Sequence, residues 1–430
     1  MEYAGIAKKA PVIGDYDVVV AGAGPAGICA SVAASRCGAS VALVERYGIV
    51  GGNLTIGHVG PVMGKVASGT MGEEIAALLR AETNQQAPDT ERAKIVLVRL
   101  LENEGVNLYL QSPVVEVTME GTSLHGVVIG THDGLAAITG RVVVDATGNG
   151  TVSCLAGARY MKGRDTDGLM QPASIMFTLG GVDEDIAIIS RGETKDVNKS
   201  MVPAGSFVDV CKEANEKGEL PKNVDIVRLY YTTRPGERMV NATQANNIDG
   251  TKVGDIAKAE MDLRNQMEQV VRFLKKTVPG YENCYVMGSS STLGVRESRR
   301  IAGIYVLDDE DIQNGVKFND VIVHDVNFLV DIHNPDGSGQ AEGKAAAVRS
   351  YDIPYRCIVP EKIDNLITSG RCISGTHRAH ASYRVMNICM AIGQASGIAA
   401  ALSVKEAVLP RNLQHEHIQK ELTASGVTLS

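Results

Sequence analysis

An α/β fold, a parallel sheet flanked by helices with a second, α+β domain inserted into it, is what three features of this sequence predict. The first is the run Asp17-Val-Val-Val-Ala-Gly22-Ala-Gly24-Pro25-Ala26-Gly27, an apolar strand that enters a glycine-rich turn and then a helix. The second is Val41-Ala-Leu-Val-Glu45, another apolar strand that ends in an acid. The third is the return, around Asp145 and again around Gly370, of strand-then-small-residue-turn segments, with a long stretch of different composition between them.

The first feature reads as the opening unit of a Rossmann-like dinucleotide-binding domain. Gly22 permits the sharp turn, Gly24 lets backbone approach a pyrophosphate, and Gly27 lets the helix lie close to the strand. The helix that begins at Pro25 aims free N–H groups and its positive dipole end at phosphate. Glu45 stands where a carboxylate accepts hydrogen bonds from both hydroxyls of an adenosine ribose, and where it would repel a 2′-phosphate.

Composition narrows the class without naming a reaction. With 430 residues, 44% of them hydrophobic, the chain buries one large or two medium cores. A net charge of −8 argues against nucleic acid or an anionic membrane as the main partner. No apolar run reaches spanning length, and the N-terminus lacks the plan of a signal peptide, so the expected location is the cytoplasm. The eight cysteines include no Cys-x-x-Cys pair, which removes a redox dithiol and a cluster-binding run and leaves most thiols as buried small hydrophobes. A second glycine fingerprint is also missing: Gly57-His-Val-Gly60-Pro-Val-Met-Gly64 follows a loop, not a strand. Electrons would then come from the substrate, from a transiently docked nicotinamide or from a partner protein.

Three further segments separate FAD from NAD. After Glu45, Arg46-Tyr-Gly-Ile-Val-Gly51-Gly52-Asn53-Leu-Thr55 looks like the loop that covers the pyrophosphate and approaches a flavin ring. Arg141-Val-Val-Val-Asp145-Ala146-Thr147-Gly148-Asn-Gly150 resembles the second FAD motif, which returns the chain to the cofactor. Asn365-Leu-Ile-Thr-Ser-Gly370-Arg371 is a third strand running into glycine, followed by a helix rich in small residues from Ser382-Tyr-Arg384-Val385 to Ala401. Together these resemble the FAD-dependent oxidoreductase family, distant kin of fumarate reductase flavoproteins and thiazole synthases. The resemblance also takes in Gln171-Pro-Ala-Ser-Ile-Met-Phe, Val278-Pro-Gly-Tyr-Glu-Asn, Gly294-Val-Arg-Glu-Ser-Arg-Arg and Tyr355-Arg-Cys-Ile-Val-Pro, from about Asp15 to Val404. It implies cofactor contacts from Gly22, Gly24, Pro25, Ala26, Gly27, Glu45, Arg46, Gly51, Gly52, Asn53, Val115, Ala146, Thr147, Gly148, Gly370, Arg371, Arg384 and Val385. Independently of it, a helix start near Ser382 to Val385 would stabilise the negative charge that reduced flavin carries around N1 and the C2 carbonyl.

The expected organisation is a discontinuous FAD-binding domain, residues 15–158 and 353–408, an inserted substrate or cap domain over 159–352, and a small polar C-terminal appendage over 409–430. Apolar residues at three- and four-residue intervals predict a helix from Asp255 to Leu274, while Ile226–Tyr231 and Cys284–Met287 look like strands. Residues 64–88 are expected as a helical excursion from the FAD domain.

Chemistry-bearing residues gather in four places. In Gly294-Val-Arg296-Glu297-Ser-Arg299-Arg300 the arginines, spaced for one helix face, would grip a substrate carboxylate or else pair with Glu297 or the acids 308–311. His377 and His380, beside the flavin-facing helix start, would exchange a proton as hydride moves, or cap backbone; a metal on this pair lacks a third ligand in the sequence. Asp331 and His333, two apart, would share a strand face, so the carboxylate would orient the imidazole. Tyr355 and Arg356 sit where the insertion returns to the FAD domain, and His58 follows the Gly51-Gly52 turn closely enough to meet the flavin, even covalently. The catalytic candidates are therefore His377, His380, Arg296, His333 and Arg384, with FAD as the cofactor, a small organic acid or polyhydroxylated compound as the substrate, and no metal. The competing readings are a subunit that relays electrons through FAD to a partner protein, and a nicotinamide-binding protein without flavin. The sequence leaves the oligomeric state open, a homo-oligomer included.

Overall fold

The computed structural model describes residues 9–80, 89–190, 196–197, 206–342 and 345–430. Strand β1 (Val12–Ala21), helix α1 (Pro25–Arg36) and strand β2 (Val41–Val44) form the opening unit that the glycine pattern predicts. Helices α2 (Met71–Arg80) and α3 (Thr90–Asn103) precede β3 (Asn107–Tyr109). Strands β4 (Val114–Glu120), β5 (Ser123–Thr131) and β6 (Gly134–Asp145) follow, then the short α4 (Thr151–Leu155). The sheet runs β3-β2-β1-β6-β5-β4. Its central members are parallel, and the β4-β5-β6 meander is antiparallel. The segment predicted around Gly370 closes the sheet: β17 (Leu366–Thr368) pairs in parallel with the end of β6. The carboxyl ends of β1, β2, β6 and β17 thus meet at Gly22, Glu45, Ala146 and Ser369, the crevice where open α/β sheets take ligands.

The inserted region begins with β7 (Tyr160–Lys162) and folds into an antiparallel six-stranded sheet. It comprises β8 (Met176–Gly180), β9 (Ile189–Ser190), β10 (Asp196–Val197), β11 (Arg228–Tyr231), β12 (Arg238–Asn241) and β13 (Tyr285–Ser289). Helix α5 (Phe207–Glu216) and the long α6 (Val253–Thr277), which contains the predicted amphipathic stretch, cover it. Phe177, Leu179, Leu229 and Val240 of the sheet bury against Phe207, Val270, Phe273 and Leu274 in a core of their own.

The remainder of the insertion packs elsewhere. Strand β14 (Arg299–Ile301) pairs with β7, helix α7 (Asp309–Asn314) follows, and β15 (Val321–Val326) pairs with β16 (Tyr351–Pro354). Ile312, Ile322, Val323 and Ile353 join the large core around α1 and the C-terminal helices α8 (His377–Tyr383) and α9 (Met386–Lys405). The tail does the same: Leu413, Ile418, Leu422 and Val427, on and around α10 (His415–Ala424), are buried in that core. Buried residues between Leu307 and Ile353, and between Leu413 and Val427, are therefore part of the core of the nucleotide-binding unit. Of the expected excursion over 64–88, α2 is observed and residues 81–88 lie outside the described residues.

Helices α1 and α9 lie almost backbone to backbone. A Cβ on Gly393 would stand 2.1 Å from the Ala26 carbonyl oxygen, and one on Gly397 2.0 Å from that of Ala30. This small-residue seam holds the start of α9 beside the start of α1, so the segment around Arg384 reaches the crevice. Helix α9 is long and apolar enough to cross a membrane, but 89% of its apolar stretch is buried inside the protein.

Candidate active site

The local backbone at the crevice follows from the glycines. Gly22 has φ +97°, and a Cβ there would meet the Ala146 carbonyl oxygen at 2.5 Å. A Cβ on Gly27 would lie 1.8 Å from the Gly22 oxygen, so only glycine lets α1 start this close to the turn. At Gly24 an added Cβ would meet nothing within 4 Å, while Gly52 packs against the Gly24 Cα from the other side. Helix α1 opens at Gly24 with Pro25 in its first turn and no side-chain cap, so its first N–H groups face a space that the protein itself leaves open.

That space is a cavity of about 520 Å³. One part is lined by Gly22, Gly24, Pro25, Ala26, Glu45, Arg46, Gly52, Asn53, Ala146, Thr147 and Gly148. Another is lined by Gly370, Arg371, Arg384, Met386 and Cys389, and the inserted domain adds Gly250, Ile256, Thr292, Leu293 and Val295 as a roof. Two contacts tie roof to floor: Tyr47 Oη and Thr292 Oγ1 are 2.6 Å apart, and Arg371 donates to the Val295 carbonyl. Glu45 is 5% exposed; its carboxylate accepts from the Ala23 N–H (2.6 Å) and the Tyr47 N–H (3.0 Å). Burial raises its pKa and these donors partly offset the rise, which leaves further lone pairs for hydroxyl donors. Arg371 also donates to Asn149 Oδ1, and burial lowers its pKa to about 10.

Several expected cofactor residues sit off the cavity surface. Val115 is one strand position out of phase: its side chain is 44% exposed, and Ser112, Pro113 and Val114 line the cavity instead. Gly27 and Gly51 act beneath the surface, the first in the helix–turn packing and the second as a φ +110° turn packed on Thr55. Val385 is the residue that caps α9, 5% exposed and packed over Gly64, with Met386 in its place on the wall. His58 is turned toward Gly288 of the inserted domain and does not line the cavity; its Nδ1 is buried without a hydrogen bond.

The three arginines expected on a helix face are not helical. Residues 295–298 carry no regular secondary structure and lead into β14, which holds Arg299 and Arg300. Arg300, 1% exposed, donates to Glu297, to the Gly375 carbonyl (2.9 Å) and to the Gly163 carbonyl (2.9 Å), fulfilling the structural alternative. Arg299 lies over the Tyr160 ring and donates to the Asn149 carbonyl. Arg296 makes no ion pair among the described residues and donates to the Pro172 carbonyl (2.8 Å).

The histidines divide in the same way. His377 Nδ1 lies 2.9 Å from Glu297 Oε1, in the buried cluster with Arg300. His380 is 1% exposed with its Nδ1 unbonded, and burial, reinforced by Arg300, holds its pKa well below the usual range. Among the described residues no group of three or more His, Cys, Asp or Glu is placed to hold a metal. His333 and Asp331 lie in a bridged loop, not a regular strand, yet their side chains meet: His333 Nε2 to Asp331 Oδ2 is 3.5 Å. Arg384, on the cavity wall, donates to that same Oδ2 (3.1 Å), to the Asp331 carbonyl (3.0 Å) and to Gln171 Oε1 (3.3 Å). Burial and then Arg296 pull the His333 pKa down to about 4, and burial and then Arg384 pull that of Arg296 to about 9. Burial works to raise the Asp331 pKa, but His333 and Arg384 outweigh it and hold the carboxyl well below its ordinary value. Arg356 is elsewhere: it pairs with Asp320 (2.9 Å), and Tyr355 donates to the Pro410 carbonyl.

Gln171 had no role assigned from sequence, although it stands in one of the segments that carry the family resemblance. Its chemistry becomes visible only when the loop at 331–333 and the 384 segment are brought to it.

A backbone cradle at a helix start, a buried acid on the next strand and a cavity lined partly by an inserted domain together define a dinucleotide-dependent enzyme. The chain belongs to the FAD-dependent oxidoreductase family, whose model, described as FAD dependent oxidoreductase, matches residues 17–422. FAD is its cofactor, and the open space over Gly24 and the lone pairs of Glu45 fit the pyrophosphate and the ribose of that molecule. Among solved structures the chain is similar to a geranylgeranyl bacteriochlorophyll reductase-like protein from Thermoplasma acidophilum, at 15% identity over 96% of this chain and 83% of the other, TM-score 0.48. It is also similar to p-nitrophenol 4-monooxygenase PnpA from Pseudomonas putida DLL-E4, at 11% identity over 95% and 84%, TM-score 0.47. A third is the flavin-dependent brominase Bmp2, at 12% identity over 96% and 83%, TM-score 0.48. No curated protein matches it.

Glu45→Ala is expected to weaken FAD retention by about 1–3 kcal/mol, the cost of leaving hydrogen-bonding partners unsatisfied. Equilibrium dialysis of the holoprotein reads this directly; retention equal to the parent's would remove Glu45 from the ribose site.

Proposed function

We propose that this chain applies the two-electron chemistry that FAD supplies, hydride accepted or given at flavin N5, to a small organic substrate, an organic acid or a polyhydroxylated compound. The observation that carries the reading is the polar cluster at Arg384: this cavity-wall cation bonds Asp331 and Gln171, His333 meets the same Asp331 carboxylate, and Arg296 is near enough to feel the charge of Arg384. In this reading Arg296 and Arg384 bind and orient the substrate. Asp331 holds Arg384 and the His333 ring in place, and His333, neutral at physiological pH, moves the proton that accompanies hydride transfer. Thr292, Leu293 and Val295 of the inserted domain line the cavity opposite the nucleotide-binding unit. The inserted domain at the cavity argues against the alternative of a subunit that only relays electrons through FAD to a partner protein.

Anaerobic titration of the holoprotein with organic acids, sugars and polyols, read by bleaching of the visible flavin band, tests the proposal. Bleaching by one of these classes is expected. A flavin that is reduced and reoxidised only by a protein partner, and by none of the small molecules in either direction, would overturn it.

A further inference from the structure

The polar cluster at Arg384 contains buried donors without an acceptor. Gln171 is 2% exposed, and its Oε1 faces two donors, Arg384 Nη2 at 3.3 Å and the His333 N–H at 3.4 Å. Both neighbours are donors, so the amide oxygen must face them, and flipping the group would set N–H against N–H. The side-chain Nε2 is thereby turned away from them, and it has no hydrogen-bond partner; the same is true of the buried Nε of Arg384. A buried donor left unpaired is costly, and an acceptor that enters with a ligand is one way to satisfy it.

The cations around them outnumber the acids that are free to pair with them. Asp331 is already taken by Arg384 and by the Gln340 amide at 2.8 Å, and Glu297 by Arg300 and His377. Arg296 has no ion pair among the described residues, and its hydrogen bond goes to the Pro172 carbonyl. Arg296, Asp331 and Arg384 each keep some accessible surface, and Arg384 lines the cavity.

We infer that Gln171 is a substrate-binding residue, donating through Nε2 to an oxygen of a carboxylate that Arg296 and Arg384 neutralise, so that the substrate is an organic acid. The inference rests on the proposed function and narrows it. A polyol would satisfy the donors through its oxygens but would leave the charge of Arg296 uncompensated; a carboxylate does both. Loop 331–333 and Gln171 are joined through the His333 N–H, so the residue that reads the carboxylate also sets the position of the imidazole.

The test uses the full-length holoprotein with acetate, pyruvate, succinate and benzoate as probes, each against its neutral amide, by flavin difference absorbance and calorimetry. At least one carboxylate is expected to bind, about tenfold or more tighter than its amide. Gln171→Met should weaken that carboxylate by about tenfold, and Gln171→Glu by more because it adds like charge, both with the parent's FAD content. Parent affinity in both variants would overturn the assignment of Gln171 and leave the proposed function standing. A parent that binds no carboxylate yet is bleached by a polyol would overturn the substrate class alone, and a parent untouched by either would take the proposed function with it. Loss of FAD from folded Gln171 variants would assign the free donor to the cofactor and overturn the inference. Should the variants misfold, the parent's preference between carboxylate and amide decides the substrate class.

Discussion

Gly24→Leu is expected to give a folded, colourless protein. The residue has φ −74° and ψ −177°, a conformation open to any L-amino acid, and its Cβ would meet no protein atom within 4 Å. The side chain would therefore grow into the cavity without disturbing the core, and would occupy the space above the first N–H groups of α1. FAD affinity should fall by about 3 kcal/mol or more, roughly a hundredfold or greater. The flavin-to-protein ratio from the visible spectrum measures the loss, and circular dichroism with thermal melting, compared against the parent stripped of FAD, verifies the fold. A yellow variant with the parent's FAD content would show that the pyrophosphate does not lie over Gly24. Gly27→Ala makes the contrast: its Cβ would fall 1.8 Å from the Gly22 oxygen, so it should lower the melting temperature as well as the FAD content.

The difference between those two glycines shows what the sequence could and could not convey. Both stand in the fingerprint, and their spacing alone predicts strand, turn and helix. Local constraint of this kind is legible because a few consecutive residues determine it. The strand ends at Asp145 and Gly370 were legible for the same reason, as apolar runs stopped by small residues, and they do converge with Gly22 and Glu45 at one edge of the sheet.

What failed was side-chain direction in irregular segments. Arg296, Arg299 and Arg300 have the spacing of a helix face, but Arg299 and Arg300 are held in β14 by its pairing with β7, a contact more than a hundred residues distant in sequence. Val115 went wrong by one position because alternation along a strand tells the two faces apart only when one of them is clearly apolar, and β4 is an edge strand exposed along much of its length. The domain boundary at 352 followed composition, whereas α7, β15 and β16 follow the apolar surface that α8 and α9 leave to be covered. Gln171 could not be read as a site residue at all, since an amide's role depends on which donors surround it, and those donors come from residues 333 and 384.

The histidines show the same limit and lead to the second large effect. Position in sequence favoured His377 and His380, the two next to α9. In the fold His377 is held by Glu297 and His380 is sealed, which leaves His333 as the imidazole that joins the cluster at Arg384 with a carboxylate beside it. His333→Gln is expected to slow the flavin half-reaction with substrate by about a hundredfold or more while FAD stays bound and substrate affinity changes little. The parent's rate in the oxidative direction should rise with pH through a limb near 4, where the imidazole loses its proton, and stay level to neutrality. The sign of each neighbour is set. Asp331 raises the His333 pKa, so Asp331→Asn should move the limb lower; Arg296 lowers it, so Arg296→Ala should move the limb higher while also weakening substrate binding. Arg296→Lys should restore the limb's position better than it restores affinity, because an ammonium supplies the charge but not the two-pronged contact. Stopped-flow flavin absorbance across pH separates the two effects. A His333→Gln variant that reacts at the parent's rate with the parent's limb would return the proton to His377, where Glu297 and Arg300 would have to hold it.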